Sequence, residues 1–507
     1  MRTATAESAE PAAAPGRAYG YYAVLALVLA AAIAPLWLVS FPEMLDYPSH
    51  LARCYILAHY GASPLWQHFY RVEFGPIPNL AMDVIVPALA HWLPILVSGK
   101  IFLTLCALLY VLGCDALGKA AWGRPHWMAL LAGMTFCNSN LILGRVNYMF
   151  GLGLFFCVFA YWLRRRRQLS GRRFLVLCVL GAAVYLAHLG SMAVLGACCC
   201  TVAAMDWRRE RKLRPLLGEL GWLAVPVLLL LAGFLRRNGR VGHVLWASWQ
   251  LKIWQLMSLV RLHDMHFAAG VFLGLLLCVG ALAVGSRVQR ELLAAAAVLF
   301  GCYAVLPLQL FTSDYVDVRL IAPACVLLLL AIHPRRQRVQ AVALAAAMLL
   351  LAERVIFIAR DWIQADARAR ITLAMGAMLP RGASVDVLAQ LQLPPATVAP
   401  YDPHYFTAAK TVDYWTISRE SYESNVFAQA GQQPLIKRPQ FATCWPGAGK
   451  GCLQRFDYVW TDEPLPRVRA RLEAAAEPVA RRGGITLWRR KPVAAPGSRA
   501  GGLRSPR

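Results

Sequence analysis

Charge is what this sequence has least of. Only 16% of its 507 residues are Asp, Glu, Lys or Arg, where a soluble domain carries about 25%. With 58% of the chain hydrophobic, that deficit excludes an ordinary soluble protein. No Walker loop, dinucleotide fingerprint or H-E-x-x-H pair occurs, which argues against ATP-driven transport within this chain. A cleaved leader is not expected either: the first apolar run begins near Tyr21, is too long for a signal-peptide core and lacks a clear cleavage site. Acid is scarcer than base, 27 Asp and Glu against 52 Lys and Arg, for a formal net charge of +25. Nucleic acid is not what this excess predicts. The basic residues cluster between apolar runs, where they set orientation and can touch anionic headgroups.

What is abundant is long apolar sequence. Runs fall at 21–40, 81–98, 101–117, 127–143, 147–163, 174–188, 190–205, 216–235, 268–285, 291–311, 319–333 and 339–359, many near the ~20 residues that cross a bilayer. The basic clusters 164–173, 207–214, 286–290 and 334–338 are each separated from the next by two runs, so all four are expected in the cytoplasm. A cytoplasmic N-terminus then requires one early run not to cross. Run 81–98 carries Asp83, Pro87, His91 and Pro94, poor company for lipid, and is read as re-entrant or surface-lying. The expected fold is an α-helical polytopic membrane protein with about eleven transmembrane helices.

The domain plan follows: a disordered cytoplasmic N-terminus at 1–20, a multispan domain at 21–360 with its first outer loop at 41–100, a small periplasmic α/β domain at 361–492, and a flexible tail at 493–507. In the soluble part, ADARARITLAMGAMLP and RVRARLEAAAEPVARR read as helices; ASVDVLAQL, FDYVWTD and GITLWRR contain strands. Most of the 14 cysteines lie in apolar runs and behave as small hydrophobes. Cys444 and Cys452 bracket a polar loop instead and form a disulfide candidate on an oxidising side, with two unpaired thiols as the alternative.

This topology gathers the chemically capable residues on the outer face. The first outer loop presents Glu43, Asp46, His50, Arg53, Asn79 and Asp83; short turns present Arg145, Asn147 and His188; the loop 236–267 presents Arg236, Arg237, Arg240 and His263, Asp264, His266; the last presents Asp314, Asp317 and Arg319. Carboxylates, His and Arg at one interface suit a charged amphipathic ligand, a phosphate on a lipid tail. Arg would neutralise the phosphate, and a carboxylate could accept a proton from an attacking hydroxyl. Each residue also has a plainer reading. Asp46 could cap a helix. His50, one turn on, could orient Asp46, bind phosphate, or simply face water. Arg53 and Arg145 could face headgroups. Asp83, with Asn79 four residues before it, could be a second acid, a metal ligand or a cap. Asp317 and Arg319 could pair at a helix end or reach the donor. The His263–His266 spacing is a weak metal pattern. VLWASWQLKIWQL (244–256) suits either an amphipathic surface helix or an aromatic belt. Asp115 falls on the cytoplasmic side and reads as structural.

Several segments resemble the type C glycosyltransferase superfamily. They are LDYPSHLAR around Asp46, GRVNYMFGLGLFFCVFAYWLRRRR, SDYVDVRLIAPACVLLLLA, MLPRGASVDVL and FDYVWTD. The resemblance implies a multispan enzyme that uses a polyprenyl-phosphate-linked sugar, with Asp46 as the catalytic acidic residue of the first outer loop. Two departures stand out. A lone Asp46 replaces an acidic doublet, and the turn after the third span offers Arg145 and Asn147 in place of an acid. No cofactor is required by the sequence; a divalent metal is compatible with it. The expected activity is sugar transfer, at the outer face of a bacterial inner membrane, to a glycan, lipid or protein acceptor. The alternatives are a non-enzymatic lipid-linked glycan transporter or envelope-assembly protein, and a ligase moving a whole glycan from a lipid diphosphate.

Overall fold

The computed structural model of the chain describes residues 15–168, 170–212, 218–235, 243–260, 262, 264–311, 313–335, 337–388, 409–441, 455–462, 466–482 and 484–491. Arg236, Arg237, Arg240, His263, Cys444 and Cys452 lie outside the described residues. The helices are α1 Pro15–Leu38, α2 Tyr47–His59, α3 Pro64–Phe69, α4 Ala81–Leu89, α5 Ile95–Trp122, α6 Trp127–Gly133, α7 Ser139–Ile142, α8 Val146–Arg165, α9 Gly171–Ala187, α10 Leu189–Glu210, α11 Ala224–Leu235, α12 Trp249–Gln255, α13 Met265–Ala283, α14 Arg290–Val305, α15 Ile321–Ala331, α16 Gln337–Gly376, α17 Trp415–Arg419 and α18 Pro466–Ala475. The fold is polytopic and helical. Six helices among the described residues are long and apolar enough to cross a membrane alone, within α1, α5, α8, α10, α13 and α16. The remaining expected spans coincide with the shorter apolar helices α9, α11, α14 and α15 and with the interrupted pair α6–α7.

Segment 81–98 is not one long helix. Its helix α4 has nine residues, about 14 Å of rise against a ~30 Å hydrocarbon core. Pro94 then starts α5, so residues 95–98 belong to the next span. Run 127–143 also differs from expectation, because it is broken. After α6 and a 3-10 turn at Met134–Phe136, the chain restarts at α7. Asn138 is buried at the break. Its side chain accepts from the Asn140 amide at 2.9 Å and donates to Thr135 O at 3.0 Å, which satisfies backbone groups that lipid would leave bare. Helices α5 and α8 approach closely through glycine: a Cβ on Gly153 would stand 2.8 Å from the Tyr110 amide nitrogen.

The loops sort to two ends of the bundle. At one end, strand β3 (Arg287–Val288) pairs with β6 (Ile332–His333), and Arg124 bonds His333 at 2.8 Å. Asp206 receives Arg166 and Arg167 there, at 2.9 and 3.2 Å. Arg209 reaches Glu291 at 3.1 Å, so the described parts of all four basic clusters share that end. Asp115 stays structural, accepting from Tyr21 at 2.7 Å and Lys119 at 2.6 Å. The opposite end holds the loops expected outside, with β2 His243–Leu245, β4 Gln309–Phe311 and β5 Ser313–Asp314 in one small sheet.

The C-terminal sheet, ordered β11-β12-β10-β7-β8, is mixed. Strands β7 (Ser384–Val387), β8 (Tyr422–Glu423) and β10 (Tyr458–Asp462) run parallel; β12 (Ile485–Arg490) is antiparallel to β10 and to β11 (Ala476–Arg482). The helix expected over 467–482 stops at Ala475 and its second half is β11, an edge strand with a register shift at Pro478. Pairing with β12 overrides the Ala- and Arg-rich helical composition there, and a bulged edge tolerates proline. Helix α16 runs unbroken across the 360/361 boundary to Gly376. The domain is also tied to the first outer loop: β1 (Tyr70–Val72) pairs antiparallel with β9 (Leu435–Lys437), and Asp366 Oδ1 accepts the Ser40 and Phe41 amides at 2.8 Å each.

Candidate functional site

Asp46 occupies the N-cap position of α2, where Pro48 favours a helix start. Yet its side chain makes no capping bond, and its carboxylate accepts no hydrogen bond among the described residues. The backbone is what holds it. Its amide donates to Leu143 O at 3.2 Å, and the Leu45 amide to Ile142 O at 3.0 Å. Gly144 makes that approach possible. It sits at φ +71°, and a Cβ there would lie 2.6 Å from the Asp46 amide nitrogen.

Cations surround this free carboxylate. Burial pushes the Asp46 carboxyl above the usual carboxylate range, while Lys410, Arg145 and Arg319 pull it back and Asp314 adds to the push. Arg145 is braced by Asn140 Oδ1 at 3.0 Å and lies 5.4 Å over the Tyr315 ring. Arg319 donates through Nη2 to Asp314 O at 3.1 Å, while its Nε is buried with no acceptor among the described residues. His188 caps α10, its Nδ1 accepting the Gly190 amide at 2.9 Å. A neutral imidazole accepting through Nδ1 carries its proton on Nε2. That Nε2 lies 3.4 Å from Arg319 Nη1, so two donors face one another with no acceptor between them.

Lys410 was not singled out by the sequence. It comes from the C-terminal domain, donates to Asn425 O at 3.3 Å and lies 4.2 Å over the Phe427 ring. The same strand of chain latches onto α2: Ser49 Oγ donates to Asn425 O at 3.1 Å and accepts the Phe427 amide at 3.0 Å. Buried Asp413 faces this latch, its carboxyl raised to about 6 by burial against the pull of Lys410. No local signal marked Lys410 or Asp413; both depend on long-range docking.

Other expected site residues stand elsewhere. Asp83 and Arg53 form a buried two-pronged pair at 2.7 and 3.1 Å. Arg53 also donates to His50 Nδ1 at 2.9 Å and to Phe427 O at 3.4 Å, and burial lowers the His50 pKa well below the usual imidazole value. Both Asp83 oxygens are thus engaged by protein, away from the open carboxylate of Asp46. Asn147 Oδ1 accepts the Met82 amide and its Nδ2 donates to Asn79 O, both at 2.8 Å. Asn79 itself adopts φ +72° at that turn. Asp317 is turned inward, accepting from Lys252 at 3.0 Å and from the Val318 amide at 2.8 Å. Asp264 caps α13 through the Phe267 amide at 2.9 Å. Among the described residues no group of three or more His, Cys, Asp or Glu is placed to hold a metal ion, and no step below runs through one.

No family model matches the chain, and no curated protein matches it in sequence. It is similar in fold to the crystal structure of ArnT from Cupriavidus metallidurans bound to undecaprenyl phosphate. The TM-score is 0.54 at 13% identity, over 94% of this chain and 98% of that one. The likeness is one of fold: the chain shares a polytopic helical architecture with ArnT over nearly its whole length.

Proposed function

We propose that this protein transfers a sugar from a polyprenyl-phosphate carrier to an acceptor hydroxyl, at the end of the bundle that holds Asp46. One observation carries the reading: an open, partly buried carboxylate stands among Lys410, Arg145 and Arg319, and Arg319 has donors that lack an acceptor. An open acid among cations with spare donors suits an anionic group beside a proton acceptor. A bilayer-spanning fold, shared with a protein crystallised on undecaprenyl phosphate, supports placing that anion on a lipid.

The chemistry balances as a single displacement. The acceptor oxygen bonds to the anomeric carbon as the carbon–oxygen bond to phosphate breaks. The hydroxyl proton passes to Asp46, and the bonding pair leaves with the phosphate. Arg319, Arg145 and His188 Nε2 face the growing negative charge, a stabilisation strongest where water is thin. The product is an inverted glycoside and a free lipid phosphate. In this reading Asp83 is not a second catalytic acid. It fixes Arg53, and through Arg53 the α2 face that carries His50. Basic clusters at the opposite end argue that the site faces outward from the cytoplasm, as in a bacterial inner membrane.

The test is single-turnover transfer of labelled sugar from a polyprenyl-phosphate donor by purified protein. Asp46→Asn is expected to slow transfer by about 100-fold or more while lipid-phosphate binding persists. Full transfer by a folded Asp46→Asn protein would remove the assignment.

A further inference from the structure

One segment of the site's own end is built inside out. On a helix exposed to water, polar residues face outward and apolar residues inward. In α12 the order is reversed. Trp249, Ile253 and Trp254 are 68%, 56% and 53% exposed, while Gln255 is 3% exposed and the Lys252 side chain 15%. Residues 249, 250, 253 and 254 share one arc at 100° per residue, with 251, 252 and 255 opposite; only Gln250 breaks the apolar arc. The exposed face continues through Val244, Leu245 and Trp246. In the next helix along the chain, α13, Leu273, Leu276 and Leu277 are likewise exposed, as lipid-facing residues are.

The buried side is anchored. Lys252 Nζ donates to Tyr303 O and Leu306 O at 2.9 Å each and to Asp317 Oδ2 at 3.0 Å. Tyr303 OH returns a bond to Lys252 O. Asp317 Oδ1 holds the Val318 amide, and Arg319 follows directly. The sheet that begins at β2 runs through β4 to β5, whose Asp314 carbonyl accepts from Arg319.

We propose that residues 244–254 are a lipid-contact platform. It lies in the boundary between headgroups and acyl chains on the membrane face that carries Asp46, and it sets the position of Arg319 through Lys252 and Asp317. The occupant is the bilayer itself. Tryptophan concentrates at that depth, the segment leads into α13, a helix long and apolar enough to cross a membrane, and the one cation of α12 points away from the apolar face. The first half stands without the transfer reading; the second rests on the anion seat proposed above.

The test uses the full-length protein in vesicles. Trp249→Cys is labelled with an environment-sensitive thiol dye, with the wild-type chain labelled in parallel to subtract its own cysteines. Lipids brominated near the top of the acyl chain are expected to quench the dye about twofold, and lipids brominated near the chain end much less. Water-like emission untouched by either lipid would overturn the platform. So would emission that follows protein-to-lipid ratio without quenching, which would indicate a second copy. For the coupling, Lys252→Gln is expected to weaken polyprenyl-phosphate binding about fivefold or more with dye quenching retained. Unchanged binding would overturn that half. Should Lys252→Gln not fold, the isosteric Asp317→Asn reads the same link.

Discussion

At the scale of single residues, the two acids of the first outer loop have opposite environments. Asp83 is buried and paired with Arg53 through both oxygens. Asp46 is held by its backbone and leaves its carboxylate open. Chain position brought Asp46 to notice, because it follows the first span closely. Nothing local distinguished it from Asp83, and only packing separates the roles. Likewise Asp317 and Arg319, two residues apart, point to different partners. Lys410 gives the sharpest prediction. Of the three cations that lower the Asp46 carboxyl, it acts most strongly. Removing it as Lys410→Met raises that carboxyl further. The acid limb of kcat/KM should therefore move to higher pH, as the base form must be reached by deprotonation. A pH–rate profile in which the limb stays put would deny Lys410 this role.

At the scale of elements, spans were legible and interruptions were not. Apolar runs mark helices directly, and the run 81–98, which the basic clusters set apart in the sequence, holds only the nine-residue α4 and the start of α5. The break at Asn138 was invisible because a run with two asparagines still averages apolar. The strand at 476–482 was hidden by a helical composition that pairing with 485–490 overruled. The turn at Gly144 shows how much an element boundary can carry. Gly144→Ala places a methyl against the Asp46 and Tyr47 amides and strains a left-handed residue by about 1 kcal/mol. It is expected to lower kcat by about 10- to 100-fold while polyprenyl-phosphate binding changes little. Equal losses in both would show that Gly144 supports the fold at large rather than the placement of Asp46.

At the scale of the whole molecule, the C-terminal domain and the membrane bundle share one site. The domain also buries carboxyls. Asp386 and Asp413 are both raised to about 6, chiefly by burial. A carboxyl raised on folding contributes stability that is complete below its unfolded value, near 4, and is lost as pH rises through about 6. The domain should therefore unfold at higher temperature at pH 5 than at pH 7. Asp413→Asn should remove its share of that difference, about 1 kcal/mol between pH 5 and pH 7. A thermal scan in detergent with equal pH dependence in both proteins would contradict this.

The pairing of residues 70–72 with 435–437 has a consequence in time. The ribosome delivers the first partner long before the second, by tens of seconds at about 5–20 residues per second. Through that interval the segment next to Asp46 has an open strand edge, and the α2 face lacks its latch at Asn425 and Phe427. The loop that carries Asp46 is thus made nearly first and finished last: a nascent chain stopped before residue 437 can already hold the Asp46 backbone through Leu143 and Ile142, but it lacks the strand pairing at 435–437 that completes the loop.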